Sequence, residues 1–172
     1  MKVIYLAGGC FWGSEKAFRL LNGVHRTTVG YANGRTDHPT YEEVCTDTTG
    51  HRETVKIEYD PDEVSLETIL KAFFLIIDPT KENRQGNDIG TQYQTGIYTE
   101  DPESEAFVQA YVKEKRKLYP VFFTEVKPLE CFWPAEEYHP NYLEKNPQGY
   151  CHIPFAEFEL IKGLNRKGET ND

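Results

Sequence analysis

Gly8-Gly9-Cys10-Phe11-Trp12-Gly13 lies between an apolar run, Val3-Ile4-Tyr5-Leu6-Ala7, and residues with helical spacing, Ala17, Phe18, Leu20 and Leu21. The pattern is a strand, a tight glycine turn and a helix start. Glycines allow the backbone to take positive φ and leave room beside the turn. Cys10 then falls where unpaired backbone N–H groups and the positive end of the helix dipole favour an anion. A cysteine so placed tends towards the reactive thiolate. Phe11 and Trp12 would form an apolar wall beside the sulfur. The same residues also fit a buried structural cysteine with two core aromatics, and spacing alone leaves both readings open.

Outward from this turn, the pattern predicts a helix over residues 11–22 closed by Gly23, then a strand over 24–32. A turn-rich segment follows, with a short helical turn at 41–45. The strand at 51–59 is the second informative stretch. Its period of two puts Glu53, Val55, Ile57 and Tyr59 on one face and Arg52, Thr54, Lys56 and Glu58 on the other. Glu53 either shares the core face, where burial raises its pKa and makes it a general acid, or reaches solvent at a strand end. Both readings stand at this point.

Ser65 is placed to cap a helix reaching Ile77, with Leu66, Ile69, Leu70, Phe73 and Ile76 on one face. A polar loop over 80–91 leads to a predicted strand at 92–100 carrying Tyr93. Asp101-Pro102 opens a helix whose acidic start and basic end suit the dipole. A strand is expected over 121–129. Cys131-Phe132-Trp133 echoes the first motif but lacks its glycines. Pro134 is expected at the first position of a helix, leaving Cys131 structural or incidental. Helical character is expected at 135–143 and an apolar stretch at 155–161. The order β-α-β-β-α-β-α-β implies an α+β two-layer sandwich with a mixed, mostly antiparallel sheet and long loops. One domain over 1–162 and a mobile tail over 163–172 are expected.

The chain has 172 residues, a net charge of −9 and no apolar run of membrane-spanning length. Nucleic acid and membrane are therefore unexpected partners. Cysteines occur at 10, 45, 131 and 151, without a C-x-x-C pair. With no secretory signal in view, this argues for a reducing, cytoplasmic setting and redox or catalytic thiols. The spacing does not suit zinc, and neither metal nor cofactor is expected. Cys151 sits in a glycine-flanked loop from which it can move towards Cys10 as a second thiol, or it is an inert surface or half-buried thiol; Cys45 reads as plain packing beside Val44, and a monomer is expected.

Cys10 as a thiolate, Glu53 as a proton donor and protonated tyrosine hydroxyls supply the parts of a redox-active thiol site in an apolar pocket. Two rivals remain: a cysteine hydrolase using Cys10 with His51, His139 or His152 as base, and a non-catalytic apolar groove.

Gly-Gly-Cys-Phe-Trp-Gly resembles the signature of the A-type peptide methionine sulfoxide reductases, and the likeness runs through most of the chain. It implies a ferredoxin-like βαββαβ core. It also implies Cys10 as nucleophile, with Phe11 and Trp12 as the aromatic pair that binds substrate. Pro39-Thr40-Tyr41 is similar to the segment with the oxygen-binding tyrosine. Thr49-Gly50-His51-Arg52-Glu53 resembles the motif that places the acid at Glu53. The segment 85–93 implicates Asp88 and Tyr93. Gly149-Tyr150-Cys151 implies that Cys151 resolves the sulfenic acid. No cysteine follows Cys151, so the resemblance implies a direct Cys10–Cys151 disulfide, reduced by a thioredoxin-like dithiol. The implied substrate is methionine sulfoxide, free or in proteins, as the S epimer. Pro140 stands where the family usually has glutamine, which bears on local helix geometry and not on the site.

Overall fold

The computed structural model describes residues 1–135 and 155–164, without side chains at 155–158. Among the described residues, eight strands run in chain order: β1 (Lys2–Ala7), β2 (Val24–Ala32), β3 (Arg52–Tyr59), β4 (Arg84–Gln85), β5 (Asp88–Ile89), β6 (Gly96–Thr99), β7 (Glu125–Pro128) and β8 (Phe132–Pro134). Five α-helices accompany them among those residues: α1 (Phe11–Phe18), α2 (Tyr41–Cys45), α3 (Leu66–Ile76), α4 (Pro102–Arg116) and α5 (Phe155–Lys162). Six strands form one sheet in the order β7-β6-β1-β3-β2-β8, and β4-β5 is a separate small ribbon. The inner four strands with α1 and α3 are the ferredoxin-like βαββαβ unit. All neighbours in the large sheet are antiparallel except β6 and β7. The expected α+β sandwich with a mixed, mostly antiparallel sheet is the one observed.

The alternation in β1 explains why it is central. Ile4 and Leu6 face the helices and join Phe11, Phe18, Val55, Ile57, Leu70 and Phe73 in the main core. Tyr5 and Ala7 face the other way, into a smaller cluster with Ala32 and Tyr98. Helix α3 is capped as expected, with the Ser65 side chain accepting from the Thr68 N–H. In α4, the Asp101 side chain accepts from the Ser104 N–H.

The structure departs from the sequence expectations in several places. Helix α1 stops at Phe18, because Leu20 and Leu21 donate only three residues back, to the carbonyls of Ala17 and Phe18. This tightened stretch turns into β2 at Gly23, whose φ is +97° and whose absent side chain leaves room for Val64. The expected strand over 92–100 is split. Residues Thr91–Tyr93 form a 3₁₀ turn and the strand begins only at Gly96. The Gln94 side chain accounts for the split: it accepts from the Asn83 N–H and donates to the carbonyls of Thr95 and Phe123, bracketing two loops. Strand β7 starts at Glu125 and not at residue 121. Pro134 ends strand β8 and does not open a helix, since 132–134 pairs with 30–32 of β2. The remainder of the helical character expected at 135–143 lies outside the described residues. The apolar stretch near the end is helix α5, with Ile161 in the core. Leu164 packs against that core, and 165–172, the rest of the expected tail, lies outside the described residues. Among the described residues, no helix is long and apolar enough to cross a membrane.

Ile57 is fully buried at the centre of the main core, in register with Ile4 and Thr27. Ile57→Ala is expected to cost about 2–5 kcal/mol. Urea unfolding should show a lower midpoint at an unchanged slope; an unchanged midpoint would refute this packing.

Candidate active site

Gly9 takes φ +83°, turning the chain so that Cys10 becomes the N-cap of α1. The Cys10 side chain makes no capping hydrogen bond, but the nearby backbone N–H groups of Trp12 and Gly13 act to lower the thiol's pKa. That influence favours the thiolate, but it does not decide the outcome. Cys10 is only 6% exposed. Burial, together with the nearby carboxyl groups of Glu53 and Asp88, pushes the thiol well above its ordinary pKa. The expectation of a lowered thiol pKa is thus corrected: burial outweighs the pull of the helix start. The sequence shows the helix start, whereas the desolvation comes from residues more than forty positions away.

Glu53 lies on β3, opposite Tyr31 of β2, and is 1% exposed. The alternation places it on the core face, so the buried-acid reading holds and the solvent-reaching one does not. Its Oε1 accepts the Phe11 N–H at 3.2 Å. That contact joins the acid to the first turn of the helix that Cys10 caps. Its Oε2 is buried and has no hydrogen-bond partner among the described residues. Burial pushes the carboxyl up to about 8, against the lowering effect of the Phe11 N–H and with support from Asp88. At neutral pH the group is a carboxylic acid with a proton to give.

Two tyrosines and Asp88 complete the cluster. Tyr41 is the first residue of α2, and a capping box fixes that start: the Glu43 N–H donates to Thr40 Oγ1 and the Thr40 N–H to Glu43 Oε1. The Tyr41 ring stacks on Trp12, with centroids 6.1 Å apart and planes 20° apart. Burial, then Glu53, hold its hydroxyl protonated. Tyr93 is half-buried on the 3₁₀ turn, and burial followed by Glu53, Tyr41, Asp88 and Cys10 holds its phenol protonated as well. Asp88 on β5 is half-buried, and burial pushes it up to about 6. These mutual influences bring Cys10, Glu53, Tyr41, Asp88 and Tyr93 together at one place. Of the aromatic pair, Trp12 is partly open whereas Phe11 is fully buried. The apolar surface beside the sulfur is therefore that of Trp12; Phe11 contributes its N–H and packs inward against Tyr31.

Cys151 lies outside the described residues, as do His139 and His152. Cys45 is exposed, which corrects its reading as a packing residue; Val44 is what packs. Cys131 is half-buried at the sheet edge, its Sγ 3.9 Å from the Gly34 carbonyl.

The sequence did not single out the residues that hold the Tyr93 turn. Arg52, on the face of β3 opposite Glu53, donates to the Thr91 carbonyl at 3.0 Å and to Glu125 Oε1 at 3.0 Å. The Thr91 N–H donates to Asp47 Oδ1. Thr91 is thus gripped from both sides, and Tyr93 follows two residues later. The alternation that put Arg52 on the opposite face was legible; its partners came from distant loops.

The raised Glu53 pKa has a consequence for stability. Its contribution is fully present below about 4.5 and is lost as pH rises to about 8, because in that window the unfolded chain ionises and the folded one does not. Glu53→Gln removes this penalty. Its gain in melting temperature over the parent should therefore grow from about pH 5 to about pH 8. A gain equal at both values would place the carboxyl in its ordinary range.

A sequence profile described as "Peptide methionine sulfoxide reductase" matches residues 2–167. The peptide methionine sulfoxide reductase MsrA of Clostridium acetobutylicum is 53% identical over 163 residues, covering 94% of this chain and 99% of that protein. MsrA of Mycoplasma pneumoniae is 52% identical over 156 residues, covering 90% of this chain and 99% of that protein. Among solved structures, Mxr1 of Saccharomyces cerevisiae in reduced form superposes with a TM-score of 0.84 at 36% identity, covering 89% of this chain and 91% of that one. Methionine sulfoxide reductase A of Corynebacterium diphtheriae gives 0.82 at 38% identity, covering 89% of this chain and 82% of that one. With the profile matched over residues 2–167 and relatives more than half identical along nearly the whole chain, this chain belongs to the peptide methionine sulfoxide reductase family.

Proposed function

We propose that the chain reduces the S epimer of methionine sulfoxide, free or in proteins, with Cys10 as nucleophile and Glu53 as proton donor. The observation that carries the reading is the buried Glu53 Oε2, a protonated carboxyl oxygen without a hydrogen-bond partner among the described residues. A sulfoxide oxygen is a strong acceptor and would occupy that place. The Tyr41 and Tyr93 hydroxyls would donate to the same oxygen, and the substrate methyl group would rest on Trp12.

In the reaction, Cys10 Sγ bonds to the sulfoxide sulfur while Glu53 gives its proton to the oxygen. Glu53 recovers a proton from the Cys10 thiol. The sulfur–oxygen bond of the substrate then breaks, and the oxygen ends on Sγ. The net change is thiol plus sulfoxide giving sulfenic acid plus thioether, with no proton gained or lost. The Cys151 thiol then attacks the sulfenic acid, releasing water and leaving a Cys10–Cys151 disulfide for an external dithiol to reduce. A thioredoxin-like protein fits that role, and yeast Mxr1 has been solved in complex with Trx2. The half-buried Asp88 carboxyl helps keep the Tyr93 hydroxyl protonated. We place the reaction in one unit over residues 1–162, working as a monomer in a reducing cytoplasm. The four cysteines without a C-x-x-C pair support that setting.

The hydrolase alternative needs a histidine base beside Cys10. His51 cannot serve from its observed position, because both ring nitrogens are occupied by backbone groups of the 34–36 segment.

Three changes test the reading in single-turnover experiments with methionine sulfoxide. Cys10→Ser should give no dimedone-trappable sulfenic acid. Glu53→Gln should slow sulfenic acid formation by about 10²-fold, and the parent's rate should fall as pH passes about 8. Cys151→Ser should still release one equivalent of methionine but fail to cycle with thioredoxin. Activity surviving the first change, or an unaltered rate in the second, would overturn the mechanism.

A further inference from the structure

We infer that His51 is a positioning residue for Tyr41: its imidazole latches the 34–36 segment to the base of β3, and so fixes where the Tyr41 hydroxyl stands. The inference rests on the reading of Tyr41 as a donor to the sulfoxide oxygen.

His51 is fully buried and immediately precedes β3, two residues before Glu53. Its Nδ1 accepts the Gly34 N–H at 3.1 Å. Its Nε2 lies 2.7 Å from the Thr36 carbonyl. A carbonyl only accepts, so Nε2 carries the proton and Nδ1 does not. The ring is therefore neutral and fully committed. Burial and the nearby Arg35 and Arg52 guanidinium groups support that state, lowering its pKa. The backbone adds to the latch: the Arg35 N–H donates to the Thr49 carbonyl at 2.8 Å, and the His51 N–H to Thr49 Oγ1 at 3.3 Å.

The fit between ring and chain is close. A Cβ on Gly34 would lie 2.2 Å from the His51 Cγ, so only glycine allows the backbone this near. Residues 35–38 are exposed and belong to no helix or strand; besides the imidazole, they are held by the Arg35 bonds to Thr48 and Thr49 and by the His38 ring on Trp133. Four residues after Thr36 the chain reaches Thr40, the cap of α2, and then Tyr41. The imidazole thus joins the strand that carries the acid to the segment that presents the phenol. Without it, the exposed loop gains freedom and Tyr41 is aligned for less of the time.

A double-mutant cycle separates positioning through Tyr41 from a general structural role. The measurement is kcat/KM for methionine sulfoxide with dithiothreitol as reductant. The variants are His51→Asn and His51→Gln, each alone and combined with Tyr41→Phe. Asparagine can keep the bond to the Gly34 N–H, and glutamine the bond to the Thr36 carbonyl, so each retains part of the latch and favours folding. Each single change should lower kcat/KM on the order of tenfold, with His51→Ala lower still. In the Tyr41→Phe background the same changes should cost less than about twofold. Thermal melts should show equal stability losses in both backgrounds, which a purely structural role would also give. Equal fold-losses of kcat/KM in the two backgrounds, or no loss in either single variant, would overturn the latch and leave the reading of Tyr41 intact. An unchanged kcat/KM in Tyr41→Phe alone would overturn both.

Discussion

The bond from the Phe11 N–H to Glu53 Oε1 is the contact on which the site depends. It reaches from the first turn of α1 to the middle of the sheet and ties the nucleophile's helix to the acid's strand. The geometry satisfies one carboxyl oxygen and leaves the other buried without a partner among the described residues. A half-satisfied buried carboxylate would be costly, so the group stays protonated. Its proton then faces the place where a sulfoxide oxygen would come. The same burial raises the pKa of the Cys10 thiol beside it.

The scaffold explains how five groups from distant parts of the chain hold this arrangement. Strand β3 is paired on both sides, with β1 and β2, so Glu53 projects from one of the most constrained strands of the sheet. Residues on its two faces do different work. Glu53 faces the helix side, whereas Arg52 faces the other and grips Thr91, next to the Tyr93 turn. Tyr98 donates to the same Glu125 carboxylate that Arg52 engages, which joins β6, β7 and β3 beneath that turn. Tyr41 on its short helix and Tyr93 on its 3₁₀ turn both lie outside the sheet, and Arg52 of β3 ties the Tyr93 turn back to it.

Much of this is legible in the sequence, and the failures have physical causes. The strand–turn–helix at Cys10 follows from two glycines between an apolar run and a helical stripe. The burial of Glu53 follows from a period of two across Val55, Ile57 and Tyr59. Capping at Ser65 and Asp101 is a local signal, and it placed α3 and α4 correctly. What the sequence concealed was long-range. The protonation of Cys10 depends on carboxyl groups at 53 and 88 and on the closure of the core around the sulfur. The division of the 92–100 segment depends on the Gln94 side chain reaching Asn83 and Phe123. The early end of α1 lies in the switch of Leu20 and Leu21 to hydrogen bonds three residues back. Cys45 shows the opposite error: an apolar neighbour in sequence suggests packing, but residue 45 is exposed while Val44 is buried. The strand at 132–134 was missed because its pairing with β2 overrides the helix-start signal of Pro134.

The central claim is that Glu53 rests as an uncharged acid beside Cys10. Its most direct test is a carbon-13 NMR titration of the side-chain carboxyl in protein labelled at glutamate, with the resonance assigned by its loss in Glu53→Gln. The account predicts a midpoint near about 8, so that the carboxyl is largely protonated at neutral pH. A midpoint near 4.5, the ordinary value for a glutamate, would contradict it.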